Sequence, residues 1–295
     1  MAANTYLRVT EVDFDEIKTN LKNYLQSQTQ FNDYDFEGSN MSTLLDVLAY
    51  NTHYNAFYTN MLGNEMFLDT AQQRDSVVSR AKELGYITRS ARGASANVSL
   101  TFTGVNNSVS EFTLPKNTTF TTNINDRTYT FVTPEDNIIK NVSNQFSQAI
   151  TITEGTPLSH EFTVNDASPV KYVLPNENVD TRSIRVTVKE STSSSANTVY
   201  TQATNIRAVT EKSAVFYLQE THDKQYEILF GIGSLGKPVK DGNIVKVDYR
   251  VCHGTETNGA NVFSIDSLSI SPSYTSVTLA VNSVARGGVE IESVD

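Results

Sequence analysis

The side chains able to do chemistry are few and scattered. The four histidines, His53, His160, His222 and His253, fall in different segments, with no H-E-x-x-H and no zinc spacing. The single cysteine, Cys252, has no second thiol to pair with and stands beside His253 at the end of an apolar run. It reads as a small half-buried residue rather than a ligand or nucleophile. Asp13/Asp15 and Glu290/Glu292 are acidic pairs close in sequence, whereas paired-carboxylate chemistry needs two carboxyls facing each other across a cleft. His222-Asp223 reads as a polar turn, because a general base needs a positioned partner. Gly233-Ser234-Leu235-Gly236 lacks both the spacing and the following helix of a nucleophile elbow. The expectation is a protein without catalytic, cofactor or metal residues.

The glycine loop between Tyr226 and Phe263 imitates two phosphate-binding motifs. Gly231-x-Gly233-x-x-Gly236 has the dinucleotide spacing, but that mechanism needs a helix to open at once and present its N-terminal amides. Here Lys237-Pro-Val-Lys-Asp-Gly-Asn243 leads into another strand. Gly231 to Lys237 also fits G-x-x-x-x-G-K, with Pro238 where a magnesium-holding hydroxyl belongs. Gly231, Gly233, Gly236 and Gly242 therefore read as structural turn residues. They would form a tight connection between two antiparallel strands, supplying positive φ and close backbone approach.

The elements around these residues follow from periodicity. Phe14, Ile17, Leu21 and Leu25 make one stripe of a helix from Asp13 to Ser27, with Asp13 and Glu16 as a capping-box-like start. A second helix runs from Ser39 or Asn40 to Leu62, closed by Gly63. On it Leu44, Leu48, Thr52 and Asn55 follow one line, while Val47, Tyr50, Tyr54, Phe57, Tyr58 and Met61 cover another. That is more than the one apolar stripe a surface helix needs. It suits the centre of a bundle or a helix clasped by partner helices. Three short helices have little room to bury two faces, which favours partners for Leu21, Leu25, Leu44, Val47, Leu48, Tyr54, Phe57, Tyr58 and Met61. His53 lies on the same helix without companions at ligand spacing and reads as a packing residue. Asp69 and Gln72 form another cap signature, after which a third helix runs to Leu84 and stops at Gly85.

From Asn97 the period becomes two, as in Val98, Leu100 and Phe102. Strands follow around Asp126-Arg127, at 149–154, 160–164, 172–174, 183–189 and 215–219, with Ser191 to Asn197 as a polar loop. The fold class expected is α+β: a helical arm over 1–92, then a mainly antiparallel β domain over 93–139 and 223–285. A β subdomain is inserted over 140–222, and a further region starts at 286–295. Small residues around Ser90 and Gly93 suggest a hinge. The 295 residues carry a net charge of −10 with no clustered Lys and Arg, which argues against nucleic acid as a partner. No segment has the length of a membrane span, and one cysteine fits a reducing cytoplasm.

Several motifs carry a resemblance. The run Phe230-Gly-x-Gly, then Gly236-Lys-x-x-x-x-Gly-Asn243, then a strand with Tyr249, then Gly254-x-x-x-Asn-Gly259, resembles the baseplate J-like proteins of contractile injection machines. The wedge subunits of T-even-type phages are the closer likeness. Many members have Asp at the position of Ile232, so this departure argues against a metal role for the loop. Phe67-Leu-Asp-Thr-Ala-Gln-Gln-Arg-Asp-Ser76, Ala81 to Tyr86 and Arg89 to Ala94 look like the helical region of that family. Pro115-Lys-Asn-Thr-Thr-Phe120 matches its hairpin with Asn117 for glycine, and Leu174 to Val186 is similar again. Gly287-Gly288 with Glu292-Ser293 resembles the opening of a further family region.

The resemblance implies a structural subunit of a contractile-tail baseplate wedge, located in the virion tail and assembled in the host cytoplasm. It implies partners: a second copy of the chain, other wedge proteins, neighbouring wedges in a ring around the tail tube, and sheath-initiating or tube-proximal proteins. It also implies an inner ring whose rearrangement releases sheath contraction. The competing readings are a β-rich tail adhesin for host glycans, which the absence of Trp and the presence of the helices disfavour, and an envelope-degrading enzyme, for which no carboxylate or metal signature stands out.

Overall fold

The computed structural model describes residues 13–31, 35–36, 39–167, 171–221, 223–265, 268 and 270–294. The chain divides into two compact units, 1–86 with 293–295, and 87–292.

In the helical unit, α1 (Phe14–Gln26) begins where the Asp13 carboxylate accepts the amides of Asp15 and Glu16 at 2.9 and 3.0 Å. Two otherwise orphaned donors of the first turn are thereby satisfied. α2 spans Met41–Glu65, so Gly63 is helical and not the stop. One interior glycine costs about 1 kcal/mol, and the extra turn brings compensation. Asn64 donates to the Asn60 carbonyl at 2.7 Å, Thr70 donates to the Asn64 carbonyl at 2.6 Å, and Glu65 is carried to the start of α3 (Arg74–Glu83). There it accepts the amides of Gln72 at 3.0 Å and Gln73 at 3.2 Å. The expected Asp69–Gln72 cap is replaced by this distant carboxylate, because Gln73 makes no side-chain cap of its own. α3 ends in a left-handed Gly85 (φ +78°), with Gly85 donating to Lys82 O at 3.0 Å and Tyr86 to Ala81 O at 3.0 Å, the Schellman arrangement.

The other unit is strand and turn, with two short 3-10 helices at Ile206–Ala208 and Gly254–Thr257. Its first run is β1 (Ser95–Thr103), β2 (Glu111–Leu114), β3 (Thr119–Ile124), β4 (Arg127–Val132), β5 (Asn137–Val142) and β6 (Gln145–Glu154). Then come β7 (Thr156–Thr163), β8 (Tyr172–Val173), β9 (Val179–Lys189), β10 (Asn197–Gln202), β11 (Val215–Glu220), β12 (Tyr226–Phe230) and β13 (Ile244–Val251). β14 (Ser264–Ile265) and β15 (Ser276–Arg286) close the series. The first sheet has the order β14-β3-β4-β6-β1-β15, with β2 joined through β5 to β6. β6 is its spine: β1 pairs along most of it, β5 takes the start of its other edge and β4 the end. Hairpins β3–β4 and β5–β6 turn on Asn125-Asp126 and Ser143-Asn144, all at positive φ, the two-residue geometry that matches strand twist. Val98, Leu100 and Phe102 meet Phe112, Phe120, Phe131, Ile139 and Ile152 in one core.

The second sheet has the order β7-β13-β9-β10-β11-β12-β8. Its end strands meet through their side chains, since the Phe162 and Tyr172 rings lie 5.5 Å apart edge to face. The sheet thus curls around its own core of Val186, Val245, Val247, Tyr200, Phe216 and Ile228. This corrects two expectations. β12 and β13 are not hairpin partners: β12 pairs with β11 and β8, and β13 with β7 and β9. The glycine loop crosses from one part of the curl to another. Strands from 156 to 251 belong to this sheet and those of 137–154 to the first, so sheet membership changes at 155 and 252 rather than at 140 and 222. β10 opens at Asn197, the last residue of the Ser191 to Asn197 stretch read as loop, and is buried only at Tyr200.

Where the chain leaves the first sheet, Gly155 (φ +134°) follows the buried Glu154. Glu154 N donates to Ala94 O at 2.8 Å. A Cβ on Gly93 would stand 2.2 Å from Glu154 O. Ser90 is buried and its hydroxyl is 2.9 Å from that of Thr181, with Ala91 and Ala94 buried beside it. Ser90 and Gly93 are therefore built into the β unit, not placed at a pivot, and the units divide at 86/87. Residues 287–292 also fold back here. Arg92 and Val289 exchange backbone hydrogen bonds at 2.9 and 3.0 Å, and Glu292 accepts from Arg89 N at 2.7 Å, so this tail completes the unit.

Two outcomes follow from these contacts. Gly93→Ala forces the β6 crossing apart and lowers the stability of the β unit by about 1–3 kcal/mol in urea unfolding. Glu65→Ala lowers that of the helical unit by about 1 kcal/mol at neutral pH. Desolvation raises the Glu65 pKa, but the Gln72 amide, the Ser76 hydroxyl and the Gln73 amide outweigh it and hold the carboxyl below its ordinary 4.5. Its contribution is therefore complete above that value and fades as pH falls through the lower folded value, so mutant and parent converge in acid.

Candidate partner interface

The apolar face of α2 is the candidate site, and it is built by what the helix does not bury. The inward line is Leu45, Ala49 and Ala56. Small residues at 49 and 56 let the helix sit close to its neighbours in the unit but hide little of its own surface. α1 lies against this helix: Lys18 Nζ reaches Asp46 Oδ1 at 2.6 Å, and the Phe14 and Tyr50 rings meet edge to face at 6.5 Å. Ile17 is the buried residue of α1, while Leu21 and Leu25 are half-buried.

Around the rest of α2, Leu44, Val47, Leu48, Tyr54, Phe57, Tyr58 and Met61 are exposed, from 39% at Met61 to 61% at Val47. Leu62, Met66, Phe67 and Leu68 continue this surface beyond them. The aromatic members are already ordered among themselves. Tyr50 and Tyr54 share a hydroxyl hydrogen bond at 2.8 Å, with rings 4.6 Å apart, and Tyr54 stacks on Tyr58 at 6.3 Å. The Tyr50 hydroxyl and its charge raise the Tyr54 pKa above the ordinary phenol value. Such a ladder presents broad rigid area with little rotamer freedom left to lose on contact. Two-sided apolarity was legible in sequence, but the inward line was not. Leu44 and Leu45 are equally apolar, and the alanines at 49 and 56 carry no hydrophobic signal strong enough to mark the packed side.

The other singled-out residues occupy structural roles or stay apart. His53 is half-buried with its ring 5.9 Å from Tyr54, and His160 packs edge-on to Phe162 at 4.6 Å. His222 lies outside the described residues. Asp13 caps α1, and Glu290 Oε1 accepts the amide and the hydroxyl of Thr255, each at 2.7 Å. Gly231 could not carry a Cβ, which would lie 2.3 Å from Leu235 O, and Gly233, Gly236 and Gly242 have positive φ. Lys237 N donates to Ser213 O at 2.8 Å, tying the loop to the chain entering β11, and Ile232 is 87% exposed.

One grouping near Cys252 was not foreseen. His253 Nδ1 lies 2.8 Å from Glu154 Oε1, and its amide donates to Oε2 of the same carboxylate at 3.1 Å. Burial raises the Glu154 pKa, against the opposing pull of His253. The Cys252 thiol, 3.4 Å from Asn178 O, is pushed by burial up to about 12, which leaves it protonated and unreactive at neutral pH. This cluster staples the exit of β6 to the end of β13. Among the described residues no group of three or more His, Cys, Asp or Glu is placed to hold a metal ion.

If the exposed face of α2 serves contact and not folding, its truncation leaves the isolated chain intact. Phe57→Ala and Leu44→Ala change unfolding free energy by no more than about 0.5 kcal/mol. Leu45→Ala, on the inward line, costs about 2 kcal/mol or more. Urea titration of the helical circular dichroism signal in dilute protein distinguishes them.

Comparison with known proteins follows this division. Residues 13–86 match the family described as baseplate wedge protein gp6-like, helical domain. Residues 160–253, which supply nearly all of the second sheet, match the third domain of bacteriophage baseplate wedge protein gp6. Over 271 residues the chain is 31% identical to the baseplate wedge protein gp6 of Enterobacteria phage T4, a stretch covering 85% of this chain and 40% of that relative. The chain thus spans well under half the length of the curated relative it matches. Matched in its helical unit and its curled sheet, and similar along most of its length, the chain belongs to the T4-type, gp6-like family of phage baseplate wedge proteins.

Proposed function

We propose that this chain is a structural, non-catalytic subunit of a contractile-tail baseplate wedge, and that the exposed face of α2 is where wedge proteins grip it. The observation that carries the reading is the mismatch on one helix. Leu45, Ala49 and Ala56 are its buried residues, while Val47, Phe57 and Tyr58 stand more than half exposed. A soluble chain seldom leaves so much contiguous apolar and aromatic surface wet. Helices from a second copy and from another wedge protein are the covering that suits it, laid along the α2 ladder at i, i+3, i+4 and i+7 anchors. The chain then acts as a joint. Its helical unit is held by neighbours, and its β unit contributes to an inner ring that governs sheath contraction. Family membership supports this placement in the virion baseplate, assembled in the host cytoplasm.

The chemistry of the β unit supports the absence of catalysis in this reading. Its buried thiol is held protonated, and its buried carboxylate at Glu154 is occupied by His253. The test is sedimentation velocity of the full chain across a concentration series, beside a Val47→Glu, Phe57→Glu double variant. The parent is expected to associate with itself or with co-expressed wedge proteins, and the double variant to remain a folded monomer. A parent that stays monomeric in both settings, or a variant that assembles equally well, would remove α2 from the interface.

A further inference from the structure

A cleft of about 460 Å³ opens between the two sheets, and its lining runs against the charge of the molecule. The chain as a whole carries −10. The cleft gathers Lys116, Arg182, Arg185 and Arg250, against the acids Glu135 and Asp248. These cations come from three places in the fold: the β2–β3 turn, β9 and β13. Nearby acids already have work. Asp248 is 3.6 Å from Lys246 Nζ, Asp136 accepts the Lys116 amide at 2.7 Å, and Asp180 lies 3.4 Å from Arg250 Nη2 and 3.8 Å from Arg182 Nε. Arg250 Nε is left buried with no hydrogen-bond partner, an unmet donor beside the cleft. Burial lowers the Lys116 pKa, and the repulsion of Arg185 and Arg250 adds to it while Asp248 opposes. Asp180 holds Arg182 and Arg250, so among the described residues Lys116 and Arg185 are the cations of the cleft without an ion pair of their own, and the lining keeps four cations against two acids, an excess that bound carboxylates would offset.

We propose that this cleft is a docking site for an acidic peptide segment of a partner protein, its side-chain carboxylates meeting Lys116, Arg185 and Arg250. A peptide is favoured over a single small anion by the size of the cleft and by the spread of the cations over separate elements. Guanidinium groups on neighbouring strands suit successive carboxylates. This surface lies in the β unit and is independent of the α2 face.

The test uses the full chain with fluorescein-labelled hexaglutamate as the probe, followed by anisotropy at low ionic strength. The parent is expected to bind, and added salt to weaken binding. Arg185→Glu combined with Lys116→Glu should weaken it at least about tenfold. Lys140→Glu, an exposed charge reversal on β5 outside the cleft, should leave it unchanged. Unaltered thermal melting of the double variant separates lost binding from lost fold; if that variant melts early, Arg185→Glu alone carries the comparison, since Arg185 is exposed. No binding by the parent, an equal loss with Lys140→Glu, or displacement of the probe by inorganic phosphate at equimolar concentration would each overturn the proposal, the last by showing a small-oxyanion site.

Discussion

Hydrophobic burial is left unfinished in the helical unit, and the character of the molecule turns on that. A helix of 25 residues has room for two apolar faces, but two short neighbours cannot cover both. The face that packs is narrow because alanine occupies two of its positions. The face that does not pack carries the large side chains, whose transfer from water is worth roughly 1.5–3 kcal/mol each when complete. That free energy is unavailable to the isolated unit and available to an assembly. On the reading proposed above, helices laid along α2 would supply that burial.

The β unit solves the opposite problem. Its two sheets each close a core of their own, one around the shared strand β6 and one by curling until β7 meets β8. What joins them is a small set of polar contacts at the crossing: Glu154 with His253, Ser90 with Thr181, and residues 287–292 folded back at Val289 and Glu292. Buried charge is tolerated there because each member is paired, and a pair that loses one partner is costly. Gly93, Gly155 and Gly288 stand at the same crossing, where backbones approach too closely for a side chain.

Most local structure was legible in sequence. Asp13 as a cap, Gly85 as a stop, the alternation of β1 and the turn glycines each follow from interactions within a few residues. The reading failed where a competing contact came from farther away. Gly63 did not end α2, because Glu65 was needed at the next helix. Asp69 did not cap α3, because that carboxylate reached it first. β10 was hidden because most of its residues are polar, only Tyr200 is buried, and Val199 is exposed, so no alternating apolar face marks it.

The sequence by itself determined most of the segments that are helix or strand, the apolar excess on α2, and the absence of a recognisable catalytic pattern, since these depend on residue type and local period. Only the tertiary structure decided that β12 and β13 lie apart, that Ser90 and Gly93 pack inside the β unit, and that Lys116, Arg185 and Arg250 converge. Strand partners and charge clusters are set by closing cores between segments distant in the chain, and the energy of that closure is not written at any one position.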